Sequence, residues 1–163
     1  MPNKPVIINN TPLVALFNLN QFQLLRDLYG EVWLPEAVQQ EFLATDYVAR
    51  LAMLTKSPWL KVIPIRNPQT IQTYPDLDMG EAEVLVLADE HTARLVIIDE
   101  RKGRSLARQQ GYLVTGTLGV LLLAKKHGLI SVIRPLIEQL QAQGLYLAPA
   151  LIQQVLVLAG EEQ

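Results

Sequence analysis

The sequence contains no cysteine, and this absence excludes disulfide bonds and thiolate metal sites. Its two histidines, His91 and His127, are far apart in the chain and lack the spacing of zinc ligands, so a zinc site is not expected. No apolar run is long enough to cross a bilayer, and the first residues lack the apolar region of a signal peptide. We therefore expect a soluble cytoplasmic protein without membrane contact.

The sequence also has little net charge. The net charge is −2 over 163 residues, so the chain as a whole lacks the basic character of many nucleic-acid-binding proteins, and any such contact must come from a local patch. The length predicts a single domain over residues 1–163, with a core at about 5–128 and a helical extension at about 131–160. Apolar residues make up 50% of the chain, more than one small core easily hides, and a homodimer is expected.

The segment from Leu77 to Glu100 carries the clearest pattern in the chain. Asp78 and Glu81 have the spacing of a capping box and predict the start of a buried helix that runs to His91. The aliphatic run that follows, 95–98, is typical of a parallel strand covered on both faces. Asp99 then lies at the carboxyl end of that strand, where open α/β sheets place their ligands. Carboxylates at a helix start and a strand end could therefore converge on one site.

Short aliphatic strands alternate with helices along the chain, which predicts an α/β fold with a mainly parallel sheet. The predicted strands are 5–8, 32–34, 61–65, 95–98 and 112–114. The predicted helices are 13–18, 20–28, 35–42, 47–54, 78–91, 101–110, 117–127, 131–144 and 149–158. Thr11, Asn20 and Ser131 are the expected caps of three of these helices, and Asn67 to Pro75 is expected to be a loop.

Clustered carboxylates can hold Mg²⁺ or Mn²⁺, hard cations that prefer oxygen ligands. The candidates are Glu41, Glu81, Glu83 and Asp99, with Glu100 and Asp78 next. Each also has a structural explanation: Glu81 as the partner in a capping box, Asp99 as the cap of the following helix, Glu41 as a solvated helix residue. Location favours a site, because Asn9 and Asp99 end two aliphatic strands and Glu81 begins the helix expected beside them.

A basic cluster begins immediately after Asp99. It consists of Arg101, Lys102, Arg104 and Arg108. Such a cluster could hold phosphates next to the acidic residues, as backbone-directed binding of nucleic acid requires. The alternative is the solvated face of an amphipathic helix.

Four segments, in their order and spacing, resemble the PIN domain, and more closely the small prokaryotic PIN proteins similar to VapC toxins. They are Asn9-Asn-Thr-Pro-Leu13 after the first strand, Pro35 to Glu41, Gly80-Glu-Ala-Glu83, and Ile98-Asp-Glu100 with Arg104. The resemblance covers nearly the whole chain and implies a three-layer PIN-like fold, with a central mainly parallel sheet flanked by helices and additional C-terminal helices. It also implies an RNA substrate and a small antitoxin protein that inserts a segment into the acidic groove.

The resemblance further implies a metal-dependent ribonuclease in which Glu41, Glu81 and Asp99 bind Mg²⁺ or Mn²⁺ and are catalytic. Glu83 and Glu100 would be auxiliary ligands. The family's first acid falls on Asn9, a neutral position, and a nearby hydroxyl position falls on Thr11. By the same resemblance, nucleic acid would contact Thr11, Arg101, Lys102 and Arg104.

Asn9 leaves an alternative open. An amide oxygen can ligate a metal but carries no charge, and losing a unit charge near a divalent ion costs on the order of several kcal/mol at an effective dielectric near 20. The chain could therefore be a PIN scaffold that binds nucleic acid or a protein without catalysis. A phosphotransfer site of the haloacid-dehalogenase or receiver type fits poorly, because both need a carboxylate where the chain has Asn9-Asn10.

Overall fold

Short aliphatic segments form one five-stranded, all-parallel sheet in the computed structural model, which describes residues 4–162. The strands are β1 (Val6–Ile8), β2 (Val32–Leu34), β3 (Leu60–Val62), β4 (Leu95–Ile97) and β5 (Val114–Thr115), in the spatial order β3-β2-β1-β4-β5. All three residues of the central strand β1 are fully buried, which is why this strand is uninterrupted by polar residues. The predicted α/β fold with flanking helices is confirmed.

Nine helices of residues 4–162 surround this sheet. They are α1 (Asn10–Asn18), α2 (Leu24–Tyr29), α3 (Glu36–Leu43), α4 (Tyr47–Thr55), α5 (Met79–His91), α6 (Arg101–Gln109), α7 (Thr117–Lys126), α8 (Arg134–Ala142) and α9 (Pro149–Leu158). Helix α5 is buried from Val84 to Ala88 and packs against α3 and β1, because its sequence there is apolar on every side. None of the helices of residues 4–162 has the length and apolarity needed to span a membrane.

The register of the strands brings the polar residues that follow them to one edge of the sheet. Ile8 of β1 pairs with Ile97 of β4, and Ile97 pairs with Thr115 of β5. The backbone N–H of Asn9 continues the first ladder by donating to the carbonyl of Ile97 at 2.9 Å. Because parallel strands end at the same side, Asn9, Asp99 and the start of α7 share the carboxyl edge of the sheet.

The predicted starts of three helices are wrong. Helix α1 begins at Asn10 with Asn9 in the N-cap position, not with Thr11 as cap, since Pro12 fits the first helical turn, where N–H groups have no partner in the helix. Asn20 adopts a left-handed turn (φ 58°) after α1 rather than capping α2, which begins at Leu24.

Ser131 is likewise not the cap of α8, which begins at Arg134. The carboxylate of Glu161 instead accepts the backbone N–H groups of Ile133 and Arg134, at 2.7 and 2.9 Å, and pairs with Lys125 at 2.9 Å. The C-terminal tail thus satisfies this helix start, and a local sequence pattern cannot reveal a partner 27 or 28 residues away.

Two strand boundaries and one loop also differ from the prediction. Strand β3 lies at 60–62 rather than 61–65, and β5 at 114–115 rather than 112–114, because the apolar runs extend beyond the hydrogen-bonded ladders. Pro68–Thr73, expected to be a loop, forms a 3-10 helix that begins with an Asn67 side-chain cap. Tyr74 anchors this segment to α5 by donating a hydrogen bond to Asp89.

Candidate active site

Five carboxylates from three chain segments lie at the carboxyl edge of the sheet. This acidic cluster consists of Glu41 on α3, Asp78, Glu81 and Glu83 at the start of α5, and Glu100 before α6. Burial raises the pKa of Glu81 to about 8, with further contributions from its hydrogen bond to Asp78 and from the negative charges of Asp78, Glu100 and Glu41. Burial, and then the charges of Asp78 and Glu83, also raise the pKa of Glu41. Burial and the mutual repulsion of these carboxylates therefore both disfavour their ionisation.

The predicted capping bond at the start of α5 is present. The Oδ1 atom of Asp78 accepts the backbone N–H of Glu81 at 2.9 Å, so Asp78 is the predicted N-cap, whereas the reciprocal bond of a capping box, from the Asp78 N–H to the Glu81 side chain, is absent among residues 4–162. The cap does not account for the side chain of Glu81, which is 9% exposed and lies among other acids. Burial of a carboxylate next to like charges opposes folding, and propensity alone does not explain it.

Gly80, in the first turn of α5, has no side chain, and this leaves room for the Glu41 carboxylate over that turn. A Cβ atom at Gly80 would overlap the Oε1 atom of Glu41. On the other side of α5, the Oε2 atom of Glu81 is 3.5 Å from the place of a Cβ at Gly103 in α6. Glu41 and Glu81 are thus both held at the first turn of α5, one toward α3 and the other toward α6.

Glu83 has a structural role between two helices. Its Oε1 atom accepts the backbone N–H of Ala37 at 3.0 Å and so joins α5 to the first turn of α3, which carries Glu41. An acid at a helix start is favoured by the unpaired N–H groups and the helix dipole. The proposed role of Glu83 as an auxiliary ligand stays a prediction.

Asp99 caps a helix, but not the one that follows it. Its Oδ1 atom accepts the backbone N–H of Thr117 at 2.8 Å, and its Oδ2 atom accepts the Thr117 hydroxyl at 2.5 Å, so Asp99 fixes the start of α7. The expectation that Asp99 caps the next helix, α6, is wrong, because Glu100 is the N-cap residue there. Pairing of β4 with β5 brings Thr117 next to Asp99, and sequence reasoning missed Thr117 for that reason.

Arg104 lies beside Asp99 at the same edge. Its Nη1 atom donates to the carbonyl of Ile98 at 2.9 Å. Burial and the neighbouring Arg108 lower the pKa of Arg104, and the charge of Asp99 opposes that shift. A Cβ atom added at Gly116 would lie 2.8 Å from this Nη1 atom and would also contact the Asp99 carboxylate. Only a residue without a side chain fits between them.

Arg101 and Lys102 are exposed in the first turn of α6. Cations there face the positive end of the helix dipole, so they do not stabilise the helix. An amphipathic helix needs only a polar residue at these positions, and it does not require a cation in its first turn. Their exposure also agrees with the solvated face of an amphipathic helix, so the role in anion binding stays a prediction.

Asn9 and Thr11 lie in different environments. Asn9 is 5% exposed where β1 ends, whereas Thr11 is exposed on the first turn of α1. Thr11 lines a cavity of about 300 Å³ between α1 and the end of α8, with Asn18 and Gly144. Arg104 lies in a different groove, so the structure does not place Thr11 with the basic residues.

The donor set fits a hard divalent cation to a limited extent. The cluster offers only oxygen atoms, and burial, followed by the charges of neighbouring acids, raises the pKa values of Glu41 and Glu81. Among residues 4–162, however, no three acidic or histidine side chains are close enough together to hold a metal ion. The predicted Mg²⁺ or Mn²⁺ therefore stays a prediction.

The fold and the acidic edge define an α/β domain with a candidate nuclease-type site. A family model described as a PIN domain matches residues 5–161, and the chain belongs to that family. No match to the chain is found among curated proteins. The resemblance to the PIN domain, whose fold is of the nuclease type, is therefore confirmed, while the closer likeness to VapC toxins stays a prediction.

Proposed function

We propose that the protein is an Mg²⁺- or Mn²⁺-dependent endoribonuclease. The observation that carries this proposal is the pair Glu41 and Glu81, two carboxyl groups whose ionisation is disfavoured by burial and by the neighbouring acids, and which a bound cation would keep ionised. A bound metal ion would activate water and stabilise the charge that develops on the scissile phosphate. The nuclease-type fold of the family supports the same reaction class.

Each residue of the site has a distinct part in this proposal. Glu41 and Glu81 would hold the metal ion, with water and the substrate phosphate completing its shell, and Glu100 would join as an auxiliary ligand only after a shift of its side chain. Asp99 is oriented by Thr117, and each of its oxygens keeps a lone pair that can face a cation or a water. Arg101, Lys102 and Arg104 hold the RNA backbone by its phosphates. Asn9 contributes a neutral amide that can orient water.

A cleavage assay with two matched variants tests the proposal. Glu81→Gln removes the charge but keeps the shape, and it should abolish Mn²⁺-dependent cleavage of RNA. Glu138→Gln, on the exposed surface of α8, makes the same change away from the site and should cleave like the native protein. Absence of cleavage by the native protein at every Mn²⁺ concentration would defeat the proposal.

A binding module is the second candidate function, and the burial of Asn9 favours it. At 5% exposure, an uncharged residue occupies the position of the family's first acid, and the oxygens of Asp99 are already engaged by Thr117. This candidate predicts RNA binding that weakens with salt and persists in chelator, without cleavage. Cleavage that depends on Glu81 would exclude it.

A homodimer is the proposed assembly, and helix α4 supports it. The residue of α4 that is buried is Arg50, which donates to the carbonyl of Phe42 at 2.8 Å. By contrast Tyr47, Val48 and Leu51 are 56%, 82% and 38% exposed on one side of the helix. An apolar face of this kind is typical of a contact surface.

Light scattering tests the dimer. The native protein should have twice the mass of one chain, and Val48→Glu should shift the mass toward that of a monomer. Leu113→Glu introduces the same charge at another exposed apolar residue and should leave the mass unchanged. A monomeric native protein at all concentrations would rule the dimer out.

The resemblance to VapC toxins adds a proposed partner, a small antitoxin protein that inserts a segment into the acidic groove. A gene for such a protein next to this one, and a complex formed on co-expression that inhibits cleavage, would support the proposal. An isolated gene whose product has no effect on cell growth would contradict it.

A further inference from the structure

A groove runs from the candidate active site along helix α9. This α9 groove has a volume of about 480 Å³ and is formed by α7, β5, α9 and the segment 145–148. Its polar end holds Asp99 and Arg104, and its walls include Leu118, Leu151 and Val155. Small-molecule pockets of similar size combine apolar walls with a few polar groups in the same way. The groove therefore begins at Asp99 and Arg104, at the carboxyl edge of the sheet.

The polar end of the groove favours an anion. Arg104 uses its Nη1 atom on the carbonyl of Ile98, and Arg108 lies one turn further along the same face of α6. The ion pairs found among residues 4–162 involve other side chains, so Arg104 forms no ion pair there, although the charge of Asp99 acts on it. Arg104 and Arg108 repel each other, and a phosphate on Arg104 would relieve that repulsion, although Arg108 itself does not line the groove.

The rim of the groove carries an aromatic ring with no packing role. Tyr146 lies in the extended segment between α8 and α9 and is 80% exposed. Its neighbours Leu145 and Leu147 are half-buried against the core. Tyr146, between them, is therefore exposed at the edge of the groove. Exposed aromatic rings beside cationic grooves are the usual platforms on which unpaired bases stack.

We propose that the α9 groove binds one unstacked nucleobase of a single-stranded RNA, with the adjoining phosphate on Arg104 and the base on Tyr146. This inference rests on the proposed function and specifies its substrate as single-stranded RNA. The aliphatic walls contact the face of the base, which is apolar, while Arg104 and Asp99 lie at its polar edge. A duplex is disfavoured, because its bases cannot enter the groove without unpairing and unstacking.

A fluorescent base provides a direct test. A short single-stranded RNA carrying one 2-aminopurine is titrated with the protein in chelator, so that binding is measured without metal-dependent cleavage. Stacking quenches 2-aminopurine, and the native protein should quench it on binding. Tyr146→Ala should lose the quenching and bind roughly ten- to hundredfold more weakly, the usual loss for one base–aromatic contact. Val132→Ala truncates an exposed apolar side chain outside the groove and should behave like the native protein.

A second variant tests the groove without touching the ring. Ala148 lines the groove and is exposed at the start of α9, so Ala148→Leu fills the space while Tyr146 remains. It should also reduce quenching and affinity. Equal melting temperatures of the native protein and both groove variants would show that these losses do not come from unfolding.

The outcomes separate this inference from the proposed function. If the native protein cleaves RNA but the groove variants bind and quench as it does, the groove is not a base site and the inference is wrong while the nuclease function stands. Tight binding of duplex RNA would also overturn it, as would groove variants that lose only a protein partner. If the native protein neither binds nor cleaves RNA, both proposals fail.

Discussion

Asp78 accepts the backbone N–H of Glu81 at 2.9 Å, and its negative charge also contributes, after burial, to the raised pKa of the Glu81 carboxyl group. The hydrogen bond stabilises the start of α5, whereas burial and the neighbouring charge disfavour ionisation of Glu81. The start of α5 therefore combines a stabilising helix cap with an electrostatic conflict, the burial of one carboxyl group beside another. Conflicts of this kind cluster at functional sites, where a ligand or a reaction relieves them.

This conflict predicts how stability depends on pH. The folded protein raises the pKa of Glu81 from 4.5 to about 8, so above pH 4.5 the unfolded chain loses a proton that the folded chain keeps. Stability should therefore fall as the pH rises from about 4.5 to about 8. Glu81→Gln removes this dependence, and in chelator its melting temperature should exceed that of the native protein at pH 8 to 9. The difference should vanish below pH 4.5, and an equal gap at every pH would contradict this account.

A second prediction concerns Gly80, where a change to alanine has two effects of opposite sign on stability that can be measured separately. Alanine is favoured over glycine in a helix by about 1 kcal/mol, yet a Cβ at this position would overlap the Oε1 atom of Glu41. Gly80→Ala should therefore weaken Mn²⁺ binding and destabilise the native chain in urea unfolding. In a Glu41→Ala background the same change should become neutral or stabilising. Additive effects in this double-mutant cycle would show that the two residues do not interact.

Thr117 is the basis of a third prediction. Its backbone N–H and its hydroxyl both donate to Asp99, across 18 residues of sequence. Thr117→Val keeps the shape and removes the hydroxyl, so it should cost about 1–2 kcal/mol, measured by urea unfolding. Thr117→Ser should retain most of this stability. If Asp99 acts in catalysis, Thr117→Val should also lower the cleavage rate more than the metal affinity.

The sequence predicted those features that depend on neighbours in the chain. The five short aliphatic runs are the strands, and Asp78 caps α5, because periodicity and capping are local effects. The links from Asp99 to α7, from Glu83 to α3 and from Glu161 to α8 were missed, since each joins a side chain to a helix start far away in the sequence. Which acids face one another likewise depends on packing between helices, and no spacing rule specifies it.

Asn9→Asp tests whether this edge has lost one ligand of a metal site. Asn9 is 5% exposed, so an aspartate there would be a buried carboxylate close to other acids, and without metal the variant should be less stable. A loss of 1 kcal/mol lowers the melting temperature by about 2–4 °C for a chain of this size. Mn²⁺ should restore the lost stability and bind more tightly than to the native protein, as measured by calorimetry. Asn9→Ser, which adds no charge, is the control and should show no gain in affinity. If Asn9→Asp is destabilised equally with and without Mn²⁺, no cation binds at this edge, and the acidic cluster must be explained without one.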